Sequence, residues 1–173
     1  MRLLTVGHST HPLDAFTALL AAHAVTAIAD VRLIPRSKRH PQFTCEALAE
    51  SLPAHGIAYR HFADLGGHRR PRPDSPNRAW RNESFRGYAD YLQTPRFRAA
   101  LDELLAWAGS TPAVAVMCAE AVWWRCHRQL IADALVARGH AVWHITSAAA
   151  PARHELTPFA QLRDQELVYP ALW

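Results

Sequence analysis

Four side chains that could do chemistry stand close together in residues 113–128, AVAVMCAEAVWWRCHR. Cys118 and Cys126 carry thiols, Glu120 carries a carboxylate and His127 carries an imidazole. The uncharged apolar run before Cys118 predicts a buried parallel strand. From Cys126 onward the apolar residues recur with a 3.6-residue period, which predicts an amphipathic helix beginning there. The reactive groups therefore lie between a strand end and a helix start, where open α/β sheets bind ligands.

Cys118 is a candidate nucleophile because a thiol facing a helix N-terminus is favoured as the thiolate. His127 is expected to assist it, and Glu120 is a candidate general acid or base, or a carboxylate nucleophile in glycosyl transfer. The alternatives are that Cys118 is a small core residue and that His127 is a core histidine. The loop differs from the phosphate cradle of rhodaneses and cysteine phosphatases, since Trp124 stands where those enzymes need arginine.

The elements that position these residues follow from the apolar pattern of the chain. Five strands are predicted, at about residues 3–6, 27–31, 57–62, 113–117 and 141–145. Helices are predicted between them, at about residues 12–23, 44–52, 85–93, 95–109 and 126–138. Alternating strands and helices with right-handed crossovers predict an α/β fold, a three-layer α/β/α sandwich with a mostly parallel five-stranded sheet, Rossmann-like or flavodoxin-like.

Polar residues follow the first four predicted strands. Because parallel strands end at the same edge of a sheet, these residues are expected to converge on one site. Arginine binds anions in bidentate fashion, so Arg32, Arg36 and Arg128 fit an anion clamp. The expected catalytic residues are Cys118, Glu120 and His127, and the expected substrate-binding residues are His8, Ser9, Asp30, Arg32, Ser37, Gly66, Gly67 and Arg128.

Short motifs in this order resemble those of the DUF488 family, over about residues 3–146. The pairing of Cys-Ala-Glu with Cys-His-Arg at this spacing is the most specific of them. The resemblance supports the fold and the residues at the sheet edge, and it implies no reaction, because the activity of the family is unknown. The matching residues are Val6–Ser9, Asp30–Arg32 with Pro35 and Ser37, Leu65–Gly67, Tyr88, Ala89 and Tyr91, Cys118–Glu120, Cys126–Arg128, and His144 with Ile145.

Composition sets further expectations. The 19 basic residues outnumber the 15 acidic ones for a net charge of +4, and Lys38 is the one lysine. No apolar run approaches the roughly 20 residues of a membrane span, so no membrane contact is expected. Three cysteines without framework spacing favour the reducing cytoplasm. No dinucleotide fingerprint or Walker loop is present, so no cofactor is expected.

The chain is expected to form one domain over residues 1–146, followed by a tail. A linker, Ser147–Ala152, is expected after the fifth strand. Residues 147–173 contain enough apolar side chains to pack back on the same domain, and these are Leu156, Phe159, Leu162, Leu167, Tyr169 and Trp173. The sequence indicates no oligomeric state.

Three functions remain open at this stage. The first is an enzyme, a hydrolase or transferase, that acts on a small anionic or nucleotide-like substrate. The second is nucleic-acid binding by loop 68–86, which holds six arginines together with Trp80 and Phe85. That loop is otherwise a lid or a solvated segment. The third is a metal site at Cys118, Cys126 and His127, with His8 also a suitable ligand type, although the spacing lacks a C-x-x-C pair.

Overall fold

The computed structural model describes residues 1–171, and strands and helices alternate along them as the sequence predicts. None of the described helices is long and apolar enough to cross a membrane. The main sheet contains β1 (Arg2–Gly7), β2 (Ala27–Asp30), β3 (Ala58–His61), β4 (Val114–Cys118), β5 (Ala141–Ile145) and β6 (Ala152–Arg153). The α-helices are α1 (Leu13–Ala22), α2 (Cys45–Ser51), α3 (Glu83–Leu92), α4 (Pro95–Gly109) and α5 (Arg128–Ala137). A separate hairpin pairs β7 (Gln161–Arg163) with β8 (Glu166–Val168).

The strand order across the main sheet is β3-β2-β4-β1-β5-β6. The first five strands are mutually parallel, which confirms the predicted mostly parallel α/β sheet. The sequence analysis missed β6, a short edge strand that pairs antiparallel with β5. The end of the predicted linker forms part of this strand, because the chain turns back after β5.

The central strand β4 and most of β1 and β2 are apolar because helices cover both faces of the sheet, whereas the edge-side strand β3, Ala-Tyr-Arg-His, is partly exposed. On one face, Leu4 and Ile28 belong to a core cluster with Phe16 of α1 and Leu48 of α2. On the other face, neighbouring strand residues such as Leu3 join the cores of α3, α4 and α5. The result is the predicted three-layer arrangement, with the carboxyl ends of β1, β2 and β4 side by side.

The starts of α2 and α4 were predicted well, because a capping threonine marks each of them. Thr44 and Thr94 accept hydrogen bonds from backbone amides in the first turns of α2 and α4. The start of α3 was predicted two residues late, since the helix begins at Glu83 and its cap, Asn82, was not recognised.

The start of α5 was predicted two residues early: the helix begins at Arg128, His127 is its N-cap residue, and Cys126 is extended. Cys126 and His127 therefore belong to the loop before α5. They fit the spacing of the apolar face of that helix, but they are not part of the helix.

The segment after β5 contacts the domain at several points. Tyr169 is fully buried in the core of the α3–α5 face, and Phe159 packs at its edge. The backbone amide of Tyr169 donates to the Asn77 side chain at 2.8 Å, and its carbonyl accepts from Ala79 at 3.0 Å. Trp173, expected to join these contacts, lies outside the described residues.

Candidate functional site

A cavity of about 790 Å³ opens at the carboxyl edge of β1, β2 and β4. Most of the residues predicted for the site line it, as expected from the parallel strand order. Three of them do not line it and are buried nearby, namely Asp30, Gly66 and Arg128. The predicted residues that do line the cavity are His8, Ser9, Arg32, Ser37, Gly67, Cys118, Glu120 and His127.

One side of the cavity holds a cluster of two thiols and an imidazole, here called the Cys–Cys–His cluster (Cys118, Cys126 and His127). The two sulfurs and a ring nitrogen all lie within 4.8 Å of one another. The Cys126 sulfur is 3.6 Å from Nδ1 of His127. The backbone amide of Arg128 donates to the same sulfur at 3.5 Å. Three residues from β4 and from the loop before α5 thus aim their heteroatoms at one point.

The orientation of His127 follows from its hydrogen bonds. Nε2 lies 3.0 Å from the carbonyl oxygen of Val31, which can only accept, so Nε2 carries the proton. In the neutral ring, Nδ1 presents its lone pair to the Cys126 thiol or to a metal ion, whereas in the protonated ring Nδ1 donates to a Cys126 thiolate. Gly67 makes this packing possible, because a Cβ there would lie 3.0 Å from Nδ1. The glycine expected to bind substrate therefore also leaves room for the imidazole.

The two thiols differ in their electrostatic surroundings. The hydrogen bond that Cys118 shares with Cys126, together with burial, raises the pKa of Cys118. The same bond lowers the pKa of Cys126, and His127 and Arg128 lower it further. The sequence pointed to Cys118 as the thiolate, whereas the geometry favours Cys126, which accepts the Arg128 amide and faces His127.

Arg32 is held by a buried carboxylate beside the cavity. Its Nε and Nη2 donate to the two oxygens of Asp30 at 2.9 and 2.5 Å. Tyr59 donates to the same carboxylate at 2.7 Å. The charge of Arg32 is therefore balanced by Asp30, so an anion in the cavity meets a neutralised pair rather than a free cation.

His8 is a neutral hydrogen-bonding residue that lines the cavity beside Arg32. Its Nε2 accepts from Nη1 of Arg32 at 3.2 Å, because a guanidinium can only donate. Its Nδ1 then donates to the Ser9 carbonyl at 2.9 Å. Burial lowers the pKa of His8 to about 4, which agrees with a neutral ring. Ser9 itself adopts a positive φ of 48°, an uncommon conformation for a residue other than glycine.

Arg128 and Glu120 meet through the backbone rather than through an ion pair. Arg128 is 1% exposed, and its Nη2 donates to the Glu120 carbonyl. Gly7 permits this loop path, since a Cβ there would lie 2.0 Å from the Glu120 carbonyl oxygen. The Glu120 carboxylate stays exposed at the cavity rim, while the Arg128 charge lies inside, close enough to lower the pKa of both sulfurs.

Other basic side chains reach the cavity directly. Arg36 and Arg125 are exposed and line it, together with His40 and His68. Arg36 had been expected in an anion clamp, whereas Arg125, His40 and His68 had not been predicted, although Arg125 lies between the two site cysteines and His68 follows Gly67. Phe85 and Tyr88 of α3 add an aromatic wall. The cavity thus combines free cations, ring faces and the Cys–Cys–His cluster.

Loop 68–86, whose last four residues form the first turn of α3, is tied to the domain by a buried carboxylate. Asp90 of α3 accepts from the Arg72 amide at 2.8 Å, from Ser75 at 2.6 Å and from Asn77 at 2.7 Å. Trp80 packs against the rings of Phe85, Phe159 and Tyr169. The indole of Trp80, which the nucleic-acid hypothesis expects to stack on bases, packs against rings of the protein itself.

A buried polar chain supports the loop that carries the site. Thr5 donates to Nδ1 of His144 at 2.7 Å, and the two imidazoles of His144 and His154 meet at 2.9 Å. His154 reaches Asp133 of α5 at 2.9 Å. The Trp123 ring stacks on His144 with a centroid distance of 4.0 Å. The sequence analysis gave His144 only as part of a motif, and no local pattern links it to residues so distant in sequence.

Comparison with known families identifies the chain. The sequence model described as Domain of unknown function DUF488 matches residues 12–135, which is more than half of the chain. The chain belongs to the DUF488 family. The match includes the Cys–Cys–His cluster and Arg32, whereas His8, Ser9 and His144 of this DUF488 protein lie outside the matched residues. No curated protein matches the chain, and no solved structure matches it.

Proposed function

We propose that this DUF488 protein is an enzyme, a hydrolase or transferase, that acts on a small anionic substrate in the cavity at the carboxyl edge of the sheet. One observation carries the proposal: a cavity of about 790 Å³ is lined both by two thiols and an imidazole and by exposed basic side chains. Pockets of this size that combine an apolar wall with a few convergent polar groups are typical ligand sites.

The anion is bound by the side chains whose charge is free. Arg36 and Arg125 are exposed at the cavity, whereas Arg32 is paired with Asp30 and Arg128 is buried. A guanidinium binds a phosphate or carboxylate through two parallel hydrogen bonds, so these two arginines suit either group. The aromatic wall of Phe85 and Tyr88 accommodates a flat or apolar part of a nucleotide-like substrate.

The reaction takes place at the Cys–Cys–His cluster. Its thiols are suited to nucleophilic chemistry and His127 to proton transfer, as in other thiol–imidazole sites. Glu120 lies at the rim, where its carboxylate can act as general acid or base on a bound substrate. The free thiols of all three cysteines fit a reducing compartment, and we propose the cytoplasm.

A thermal-shift screen of inorganic phosphate, nucleotides and sugar phosphates tests the proposal. A ligand present at 100 times its Kd stabilises the folded state by about 2.7 kcal/mol, which is a rise in Tm of roughly 5–10 °C for a domain of this size. We expect Arg36→Ala and Arg125→Ala to lose this rise. Arg70→Ala is the matched control, because Arg70 is exposed and does not line the cavity.

Nucleic-acid binding is the competing outcome of the same screen. It remains a prediction from the arginines of loop 68–86, of which Arg70, Arg72, Arg78 and Arg81 are exposed. Stabilisation by DNA or RNA alone, lost steeply with added salt and unchanged in Arg125→Ala, would contradict the enzyme proposal. The control Arg70→Ala would then be the variant that loses binding.

A further inference from the structure

We infer that the Cys–Cys–His cluster is a binding site for one thiophilic divalent ion of the zinc class, with a fourth ligand position open to the cavity. Zinc sites with three protein ligands and one exchangeable position are characteristic of catalytic zinc, and two cysteines with one histidine is an established ligand set. The inference stands on the positions of the three donor atoms and does not depend on the proposed enzymatic activity.

The distances between donor atoms agree with tetrahedral coordination. With ion–sulfur bonds of about 2.3 Å and ion–nitrogen bonds of about 2.0–2.1 Å, sulfur and nitrogen ligands lie about 3.6 Å apart at the tetrahedral angle. The observed distance from the Cys126 sulfur to Nδ1 of His127 is 3.6 Å. The Cys118 sulfur completes the set within 4.8 Å of both atoms. Two sulfur ligands lie about 3.8 Å apart in such a site, so the Cys118 sulfur must approach the other two donors by up to about 1 Å when the ion binds.

The surroundings of the donors match those of metal ligands. Ligating histidines usually donate their second ring N–H to a carbonyl or carboxylate, which fixes the ring. His127 does this through its bond to the Val31 carbonyl, and the lone pair on Nδ1 is left for the ion. The Arg128 amide donates to the Cys126 sulfur, which stabilises the charge of a thiolate. Gly67 keeps the space beside Nδ1 free of a side chain.

The charge balance also favours an ion. In the metal-bound site both cysteines are thiolates that carry two negative charges, and the buried Arg128 supplies one positive charge beside them. A divalent ion more than balances the one negative charge that remains, so the site as a whole has a net positive charge facing the cavity. Both thiols lose their protons when the ion binds, so affinity is expected to rise with pH.

The role of the ion in a reaction rests on the proposed function at this cavity, and it replaces the thiol nucleophile of that proposal. With the ion bound, both sulfurs are ligands rather than nucleophiles, and the ion is a Lewis acid beside the anion held by Arg36 and Arg125. The open position then receives a substrate oxygen or water. The chemical class of the substrate is accordingly an oxyanion, such as a phosphate or carboxylate.

Cobalt binding measures the site directly. The reduced full-length protein, freed of metal with a chelator, is titrated with Co²⁺ in the presence of a phosphine reductant. We expect one equivalent to produce a sulfur-to-cobalt charge-transfer absorption in the near ultraviolet and the visible bands of a tetrahedral ion. One equivalent of Zn²⁺ is expected to remove both. Absence of saturable binding at one equivalent would overturn the inference.

Variants assign the ligands. We expect Cys118→Ser, Cys126→Ser and His127→Gln each to weaken binding by more than the roughly 10–100-fold that loss of an outer-shell partner costs. Cys45→Ser is the matched control, since Cys45 is a free thiol in α2 and does not line the cavity. A cobalt spectrum that persists in the Cys118→Ser/Cys126→Ser double variant would assign the metal elsewhere.

Alkylation of the wild-type protein shows which cysteines bind the ion and does not depend on a variant that folds. We expect Zn²⁺ to protect Cys118 and Cys126 from iodoacetamide and to leave Cys45 unprotected, as read by peptide mass spectrometry. Equal labelling of Cys118 and Cys126 with and without Zn²⁺ would overturn the site.

Addition of inorganic phosphate to the cobalt-loaded protein separates the ion site from its role in the proposed function. A shift of the visible cobalt bands links the ion to the anion site. Cobalt binding without that shift keeps the ion site and overturns its role on an oxyanion.

Discussion

Asp30 shows how a single residue positions the wall of the site. It has no exposure to solvent, and it bonds to Arg32 through both oxygens while also accepting from Tyr59. Through Arg32 it also orients His8, which in turn bonds to the Ser9 carbonyl. Asp30 therefore positions the side chains that line the cavity, and its contact with substrate stays a prediction.

Replacing Asp30 with asparagine is expected to destabilise the fold by about 3 kcal/mol, because the buried guanidinium of Arg32 loses its counter-charge. Urea unfolding of both proteins measures the difference in the free energy of unfolding. Asp14→Asn is the matched control, since Asp14 is exposed in the first turn of α1 and is expected to change stability by less than about 1 kcal/mol. Similar losses in the two variants would contradict this account.

At the scale of elements, α3 holds loop 68–86 in place. The Asp90 side chain makes three hydrogen bonds to that loop, and Asn77 continues the contact to Tyr169 near the end of the described chain. Gly87 of α3 allows close packing, because a Cβ there would lie 2.0 Å from the Arg69 carbonyl oxygen. The start of the loop and α3 thus pack together as one layer beside the cavity.

Asp90→Ala is expected to release this loop. Three donors lose one charged acceptor, which costs at least about 2 kcal/mol of stability. Limited trypsin digestion reports the change as faster cleavage at Arg78 and Arg81, both exposed in the loop. Asp74→Ala is the matched control, because that side chain is 84% exposed and faces only Arg72. Unchanged cleavage in Asp90→Ala would show that other contacts hold the loop.

At the scale of the whole molecule, one chain of polar groups connects the sheet, α5 and the tail. It runs from Thr5 through His144 and His154 to Asp133, and Tyr169 donates to the second oxygen of Asp133 at 2.9 Å. These residues are buried, and each ring nitrogen has a partner. Because Trp123 stacks on His144, the same chain supports the loop between the two cysteines of the site.

The buried imidazole of His144 makes stability depend on pH. Burial, followed by the charges of His154 and Arg128, lowers the pKa of His144 to about 3 in the folded protein. The unfolded chain, with a histidine pKa of about 6.5, therefore binds more protons between these values. This contribution to stability is fully present above about pH 6.5 and is lost as the pH falls towards 3, with a slope that approaches about 1.4 kcal/mol per pH unit.

Urea unfolding at intervals from pH 7.5 to pH 4.5 measures that slope. We expect the wild-type free energy of unfolding to fall through this range and His144→Gln to show a shallower fall, although that variant starts from lower stability. His55→Gln is the control, because His55 is exposed in the turn after α2. Parallel curves for wild type and His144→Gln would contradict a neutral buried His144.

The sequence by itself determined the class of fold and the sheet edge at which the candidate site residues converge. Apolar runs mark strands because a strand covered on both faces has no polar side, and Thr44 and Thr94 mark helix starts because a side-chain oxygen satisfies a free amide. Parallel order then brings strand ends together without any knowledge of packing. These features depend on neighbours in sequence, so a local pattern suffices to predict them.

The tertiary structure decided the charge and orientation of the groups at that edge. It pairs Arg32 with Asp30, buries Arg128, and turns His127 through the Val31 carbonyl so that its lone pair faces Cys126. Each of these results depends on atoms brought together from different strands and loops. Burial and hydrogen-bond geometry decide which side chains are charged and which charges are paired. The spacing of residues along the chain encodes neither burial nor hydrogen-bond geometry.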